Sequence, residues 1–345
     1  MTVERELGVG VIGCGGMGRR HAHNLHTLVK GARVVAVADS DGGRAEEAAA
    51  ACGGARIFAD GQSLIADRGV EAVVIASPDP THAPLTLACL AAGKPVLCEK
   101  PLATSAPDAL QVVEAEAGRR LVQVGFMRIY DPAHRGVKRA VDAWSPGRLV
   151  LVEAHHVNPA SPVPRTLEEV VVQSAVHDLH TVRWLTGDEV EQVFTRHVPA
   201  DPSRPETCRL VVIDLMLSGG CLAIVVVDAS SGYGYEVGVR VIGEWDVVET
   251  GPLPGAVHRA SGRLSQSVHR DWVERFEEAY LLEVQDWVAG VGDGGCPGPS
   301  AWDGYASLAV GEACLDSARS GRPRPVVLGE PPAIYRVPDR RGRRR

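Results

Sequence analysis

The chain has 345 residues, enough for roughly two domains, and its 45% apolar and 23% charged residues exclude a disordered chain, a collagen and a coiled coil. Its formal charge of −7 excludes phosphate-backbone binding as the main activity, because a nucleic-acid footprint needs a large positive surface. Residues Met1 to Leu7 are acidic rather than leader-like, and no apolar run approaches the ~20 residues that cross a bilayer, so a cytoplasmic protein without membrane or nucleic-acid partners is expected.

Up to about Gly125, short β-branched runs alternate with amphipathic stretches. Gly8 to Ile12, Arg33 to Ala38, Ala72 to Ala76, Val96 to Cys98 and Leu121 to Val124 predict strands. Met17 to Lys30, Gly43 to Cys52, Thr81 to Ala92 and Ala106 to Gly118 carry apolar residues at helical spacing. That alternation predicts an α/β Rossmann dinucleotide-binding domain over 1–127. Beyond it, Leu149 to His156, Gln192 to His197, Arg209 to Leu217, Cys221 to Asp228 and Tyr235 to Ile242 read as strands interrupted by a single helix, about Leu167 to Leu185. The expectation is an α+β domain with a large, mostly antiparallel sheet over 128–335, closed by helices Asp271 to Ala289 and Ala301 to Arg319. Residues 336–345 end in Arg340, Arg341, Arg343, Arg344 and Arg345, a basic tail expected to fray in solvent. The eight cysteines form no C-x-x-C pair and sit mostly in apolar runs, as reduced thiols that pack like small hydrophobes.

Gly13-Cys14-Gly15-Gly16-Met17-Gly18 joins the first strand to the first helix. Glycine suits a tight turn whose backbone approaches a pyrophosphate, which then rests on the helix N-terminus. The second strand runs into Asp39, with Ser40 beside it. A carboxylate there accepts from both ribose hydroxyls and repels a 2′-phosphate, so NAD is favoured over NADP. Ser77, Pro78 and His82 lie in the turn after Ala76, at the carboxyl edge where such sheets bind ligands, and Glu99, Lys100 and Pro101 follow the next strand.

This ordered set, glycine loop, Asp39 and Glu99-Lys100-Pro101, resembles the Gfo/Idh/MocA family of sugar and cyclitol dehydrogenases. Gly125-Phe126-Met127-Arg128, His156-Val157-Asn158-Pro159, His177-Asp178-Leu179-His180, Tyr233-Gly234-Tyr235-Glu236 and Arg275 to Tyr280, with Glu283 after it, narrow the resemblance to its inositol dehydrogenases. The resemblance implies an NAD-dependent enzyme that oxidises a secondary alcohol of a cyclitol or sugar, without a metal and as a homotetramer. It assigns Lys100 and His177 as the catalytic pair, and Arg128, His156, Asn158, Tyr235 and Tyr280 to the polyol pocket. The chemistry agrees: a neutral imidazole is suited to take the hydroxyl proton while an ammonium stabilises developing alkoxide charge.

Two positions depart from the family pattern. Gln173 stands where an aspartate usually precedes the histidine by four residues, and His180 replaces another aspartate. Residues 173, 177 and 180 are expected on one helix face, so the loss of two carboxylates implies a substrate modified relative to myo-inositol. Two other readings stand beside this one: an NAD(H)-binding sensor or subunit without catalysis, and a metal site drawn from His155, His156, His177 and His180.

Overall fold

Continuous β-branched runs suit strands buried on both faces, which is where parallel sheets place them. The computed structural model describes residues 6–144, 147–251 and 257–336. It begins with β1 (Leu7–Ile12), α1 (Gly16–Thr27), β2 (Ala32–Ala38), α2 (Gly42–Ala51), β3 (Arg56–Phe58) and α3 (Gly61–Ala66). There follow β4 (Ala72–Ile75), α4 (His82–Ala91), β5 (Val96–Glu99), α5 (Ala106–Ala115) and β6 (Val122–Gly125). The six strands are parallel in the order β3-β2-β1-β4-β5-β6, with the switch in strand order between β1 and β4 facing the glycine loop. The short β3 and α3 were not expected from the sequence; neither is long enough to show a period.

The second half opens with a helix the sequence reading lacks, α6 (Pro132–Ala143), capped by the Asp131 carboxylate, which accepts from His134 N at 3.1 Å. Proline in its first turn supplies a preset φ. After β7 (Leu149–Pro159), the single helix expected from Leu167 to Leu185 is composite: α7 (Leu167–Val170), a π turn over Val171–Ala175, and α8 (Val176–Thr186). Gly187 ends α8 at φ +73°, a conformation that favours glycine. Then come β8 (Val190–Val198), β9 (Leu210–Leu217), β10 (Leu222–Ser231), β11 (Glu236–Gly243), β12 (Val247–Glu249) and the unforeseen hairpin β13 (Val257–Ala260) and β14 (Arg263–Gln266). The helix expected from Asp271 to Ala289 breaks at Phe276 into α9 (Trp272–Arg275) and α10 (Glu277–Gly292), and α11 (Ala301–Ser320) and β15 (Arg324–Pro325) complete the elements. The second sheet runs β12-β11-β7-β10-β9-β8-β15, antiparallel except for the β7–β10 pair.

Two compact units result. The first comprises residues 6–127, 280–308 and 330–336 and is therefore discontinuous in sequence; the second comprises 128–279 and 309–329 among the described residues. In the first, Val9, Val11, Leu25, Val34 and Val74 pack with Val284, Trp287, Val288 and Cys296 from α10 and the loop after it. In the second, one sheet face, including Val152, Ile213, Val225 and Val239, packs under Leu179, Val182 and Leu185 of α8. Burying each such side chain stabilises by about 1.5–3 kcal/mol. The opposite face leaves Val150, Met216 and Leu222 exposed.

All eight cysteines are free and buried. Among the described residues no helix is long and apolar enough to cross a membrane. Of the basic tail only Arg336 is described, bonded to Glu330 at 3.1 Å; the remainder lies outside the described residues.

Candidate functional site

The first unit gathers its expected site residues at the carboxyl edge of its sheet. Gly13 adopts φ +88°, and a Cβ there would lie 2.5 Å from the Ala76 backbone; a Cβ on Gly18 would lie 1.7 Å from Gly13 O. These two glycines allow the close approach of loop, helix and β4. At Gly15 and Gly16 a Cβ would meet nothing within 4 Å, and α1 starts without a side-chain cap, so its first N–H groups face open space beside the half-buried Met17. Asp39 buttresses this cradle: its Oδ2 accepts from Cys14 N at 2.6 Å and its Oδ1 from Asp41 N at 2.8 Å, while Ser40 is exposed. The donor set fits a dinucleotide, with backbone N–H groups for the diphosphate and a carboxylate for the ribose. Burial and Asp39 push the Cys14 thiol up to about 11, so it is no nucleophile.

The turn at Ser77 and Pro78 is tied to the Lys100 segment through His82. Its Nε2 lies 2.7 Å from Ser77 O and its Nδ1 2.6 Å from Pro101 O. Only a doubly protonated ring donates to both carbonyls. Burial opposes that charge, but Cys98 and the two carbonyls override it and raise His82 to about 10. Ser77 Oγ and Thr81 Oγ1 lie 2.5 Å apart. Lys100 is half-buried at the end of β5 and follows Glu99, whose Oε2 accepts from Lys100 N at 3.3 Å. Glu99 Oε1 lies 2.7 Å from His21 Nε2. Tyr280, buried on α10, also belongs to this unit, its ring edge-on to His21 at 6.2 Å.

The second unit brings Arg128, His156 and Tyr235 together. Arg128, 1% exposed, pairs with Asp178, and its Nη2 lies 2.9 Å from His156 Nδ1. Asp178 Oδ2 lies 3.1 Å from the same ring nitrogen. Burial lowers the His156 pKa despite Asp178, and Nδ1 of the neutral ring either donates to Asp178 or accepts from Arg128, according to the tautomer. Burial raises Asp178, but Arg128 and His156 override it and hold the carboxyl down at about 2. The Tyr235 ring meets His156 edge-on at 5.5 Å and Phe276 at 6.2 Å. Asn158 is half-buried on β7 and donates to Asp228 O at 3.4 Å.

A second buried pair adjoins the first. Arg275 donates to Asp131 Oδ1 and Oδ2 at 2.7 and 3.0 Å, Asp131 holds His134 at 2.5 Å, and both guanidinium groups flank Phe276. Two guanidinium groups thus face two carboxylates, which balances charge within the unit's interior.

His177 and His180 are buried on α8, whereas Gln173 lies in the π turn and is exposed. The single α-helix expected across residues 173, 177 and 180 is thus interrupted by a π turn that ends two residues before His177. Among the described residues no group of three or more His, Cys, Asp or Glu is placed to hold a metal.

Sequence reasoning passed over Asp178, although it is the residue that organises Arg128 and His156. Its signal was a carboxylate between Val176 and Leu179 on an otherwise apolar helix face, a position that demands a cationic partner. Asp131, Arg275 and His21 were passed over for the same reason: their partners are distant in sequence.

Models of one oxidoreductase family match most of the chain: the NAD-binding Rossmann fold of the Gfo/Idh/MocA proteins over residues 7–126 and their C-terminal alpha/beta domain over 147–328. Inositol 2-dehydrogenase of Rubrobacter xylanophilus is 49% identical, with 96% of each chain covered. Inositol 2-dehydrogenase 2 of Saccharopolyspora erythraea is 43% identical over 95% of this chain and 98% of that one. The crystal structure of myo-inositol dehydrogenase from Lactobacillus casei in complex with NAD(H) and myo-inositol superposes with a TM-score of 0.90 at 31% identity, covering 96% of this chain and 99% of that one.

Proposed function

Because the chain belongs to the Gfo/Idh/MocA oxidoreductase family, we propose that it is an NAD-dependent dehydrogenase oxidising a secondary hydroxyl of an inositol-like cyclitol to a ketone. The observation that carries this reading is near full-length similarity to proteins named inositol 2-dehydrogenase. Bound NAD supplies the hydride acceptor. Asp39 engages the ribose hydroxyls, and the open N-terminus of α1 receives the diphosphate.

Lys100 and His177 form the catalytic pair in this reading. His177 takes the hydroxyl proton as general base, and the Lys100 ammonium stabilises the alkoxide as it develops. Arg128, His156, Asn158, Tyr235 and Tyr280 serve the polyol pocket. Gln173 and His180 replace two acceptors with groups that donate, so the substrate carries an acceptor or anionic group absent from myo-inositol, such as a keto, uronate or phosphate function. The enzyme acts in the cytoplasm as a homo-oligomer, built through the open sheet face that exposes Val150, Met216 and Leu222.

A panel of plain and modified cyclitols and sugars, scored by absorbance of reduced nicotinamide with NAD and with NADP, tests the reading. Turnover of a modified cyclitol with NAD is the expected result. No reduction by any polyol overturns it and leaves an NAD-binding protein without catalysis.

A further inference from the structure

Glu283, on α10 of the first unit, is fully buried, and among the described residues neither of its carboxyl oxygens has a hydrogen-bond partner. A bare carboxylate in that position would cost several kcal/mol, yet among the described residues no guanidinium or ammonium is paired with it. The charge that acts on it comes from another acid, Glu99. Glu99, 7% exposed, is fully committed: Oε1 to His21 Nε2 at 2.7 Å and Oε2 to Lys100 N at 3.3 Å. Gly125 makes room for it, since a Cβ there would lie 2.8 Å from Glu99 Oε2.

The charged and titratable groups around the two acids divide unequally. His21 from α1, His82 from α4 and Lys100 act on Glu99. On Glu283 the acting charge is Glu99 itself. Tyr280, one turn before Glu283, sets its ring against His21 and beneath Arg20, whose guanidinium lies 6.0 Å from the ring centre. Burial raises Glu99, but His21, Lys100 and His82 override it and hold the group below the usual carboxylate range; burial and Glu99 drive Glu283 well above that range.

We propose that Glu99 and Glu283 act as one two-carboxyl unit with a single negative charge and a single proton, the charge on Glu99 and the proton on Glu283, and that Glu283 is thereby a positioning residue for Lys100. The proton on Glu283 lets Glu99 stay ionised without like-charge repulsion, and Glu99 in turn anchors the Lys100 backbone and favours its ammonium. When Glu283 ionises at high pH, the added negative charge further favours that ammonium. The link to catalysis rests on the reading of Lys100 as a catalytic residue; the shared charge does not.

Two measurements on the full chain separate these claims. The first compares thermal unfolding of the wild type and Glu283→Gln between pH 5 and 9, without cofactor. A carboxyl that stays protonated in the native state but ionises when unfolded contributes stability that is lost as pH rises. The unfolding equilibrium constant of the wild type relative to Glu283→Gln therefore grows by up to about tenfold per pH unit. A pH-independent difference overturns the shared-proton claim, whatever reaction the protein catalyses. Glu283→Met, which also lacks the proton, repeats the trend if the glutamine variant folds poorly.

The second measurement is the pH profile of kcat and KM with NAD and the best polyol of the panel. Glu283→Gln moves the alkaline limb of kcat down by about one pH unit while KM for NAD changes little. Superimposable profiles overturn the positioning role. A loss of kcat uniform across pH does the same, since a structural defect would produce it.

Discussion

At the scale of single residues, the roles proposed here separate by measurable constants. His177→Ala is expected to lower kcat by roughly 10²–10⁴-fold, the range for deleting a general base, with NAD affinity by titration nearly unchanged; an unchanged kcat would place the base elsewhere. Asp39→Ala is expected to weaken NAD far more than NADP, because the carboxylate that accepts from the ribose also repels a 2′-phosphate. Equal losses would leave Asp39 only its contacts with Cys14 N and Asp41 N. The cofactor residues were legible because their chemistry is local: a glycine loop, a strand and a carboxylate in a short stretch of chain. Asp178 and Glu283 were not, because a buried acid is defined by partners such as Arg128 and Glu99, far away in sequence.

At the scale of elements, Gln173 sits in the π turn over Val171–Ala175 that leads into the helix of His177. Gln173→Asp restores a carboxylate on the turn preceding His177, and activity is expected to move toward myo-inositol, read as the ratio of kcat/KM for myo-inositol to that for the preferred cyclitol. An unmoved ratio would remove Gln173 from specificity. The helix that follows Asp131 makes a stability test. Asp131→Ala removes the cap of α6 and strands the buried Arg275 guanidinium, so a loss of about 3–5 kcal/mol is expected in denaturant unfolding. Long strands and helices were legible from periodicity, whereas β3, α3 and the π turn were too short to show a period. The helix α6 announced itself only through Asp131-Pro132, a cap followed by a proline in the first turn.

At the scale of the molecule, acid stability follows from the two buried carboxylates of the second unit. Asp131 and Asp178 both titrate below their ordinary value, so they contribute stability above about pH 4 that is lost as pH falls toward 2. The unfolding temperature should therefore drop most steeply below pH 4. Asp178→Asn should be less stable at neutral pH and flatten that drop; a parallel curve would show that Asp178 is not a source of the acid response. The two-domain plan was legible from the change of strand rhythm near Gly125, but the return of Val284, Trp287, Val288 and Cys296 to the first core was not, because it depends on contacts more than 150 residues apart. That return orders the events of synthesis. When residue 127 leaves the ribosome, the nucleotide-binding half still lacks one wall of its interior, and the missing wall arrives only with residues 280–308. At elongation rates of about 5–20 residues per second that is a wait of roughly 10–35 s, so the nascent amino-terminal half must be tolerated incomplete while the rest of the chain is translated.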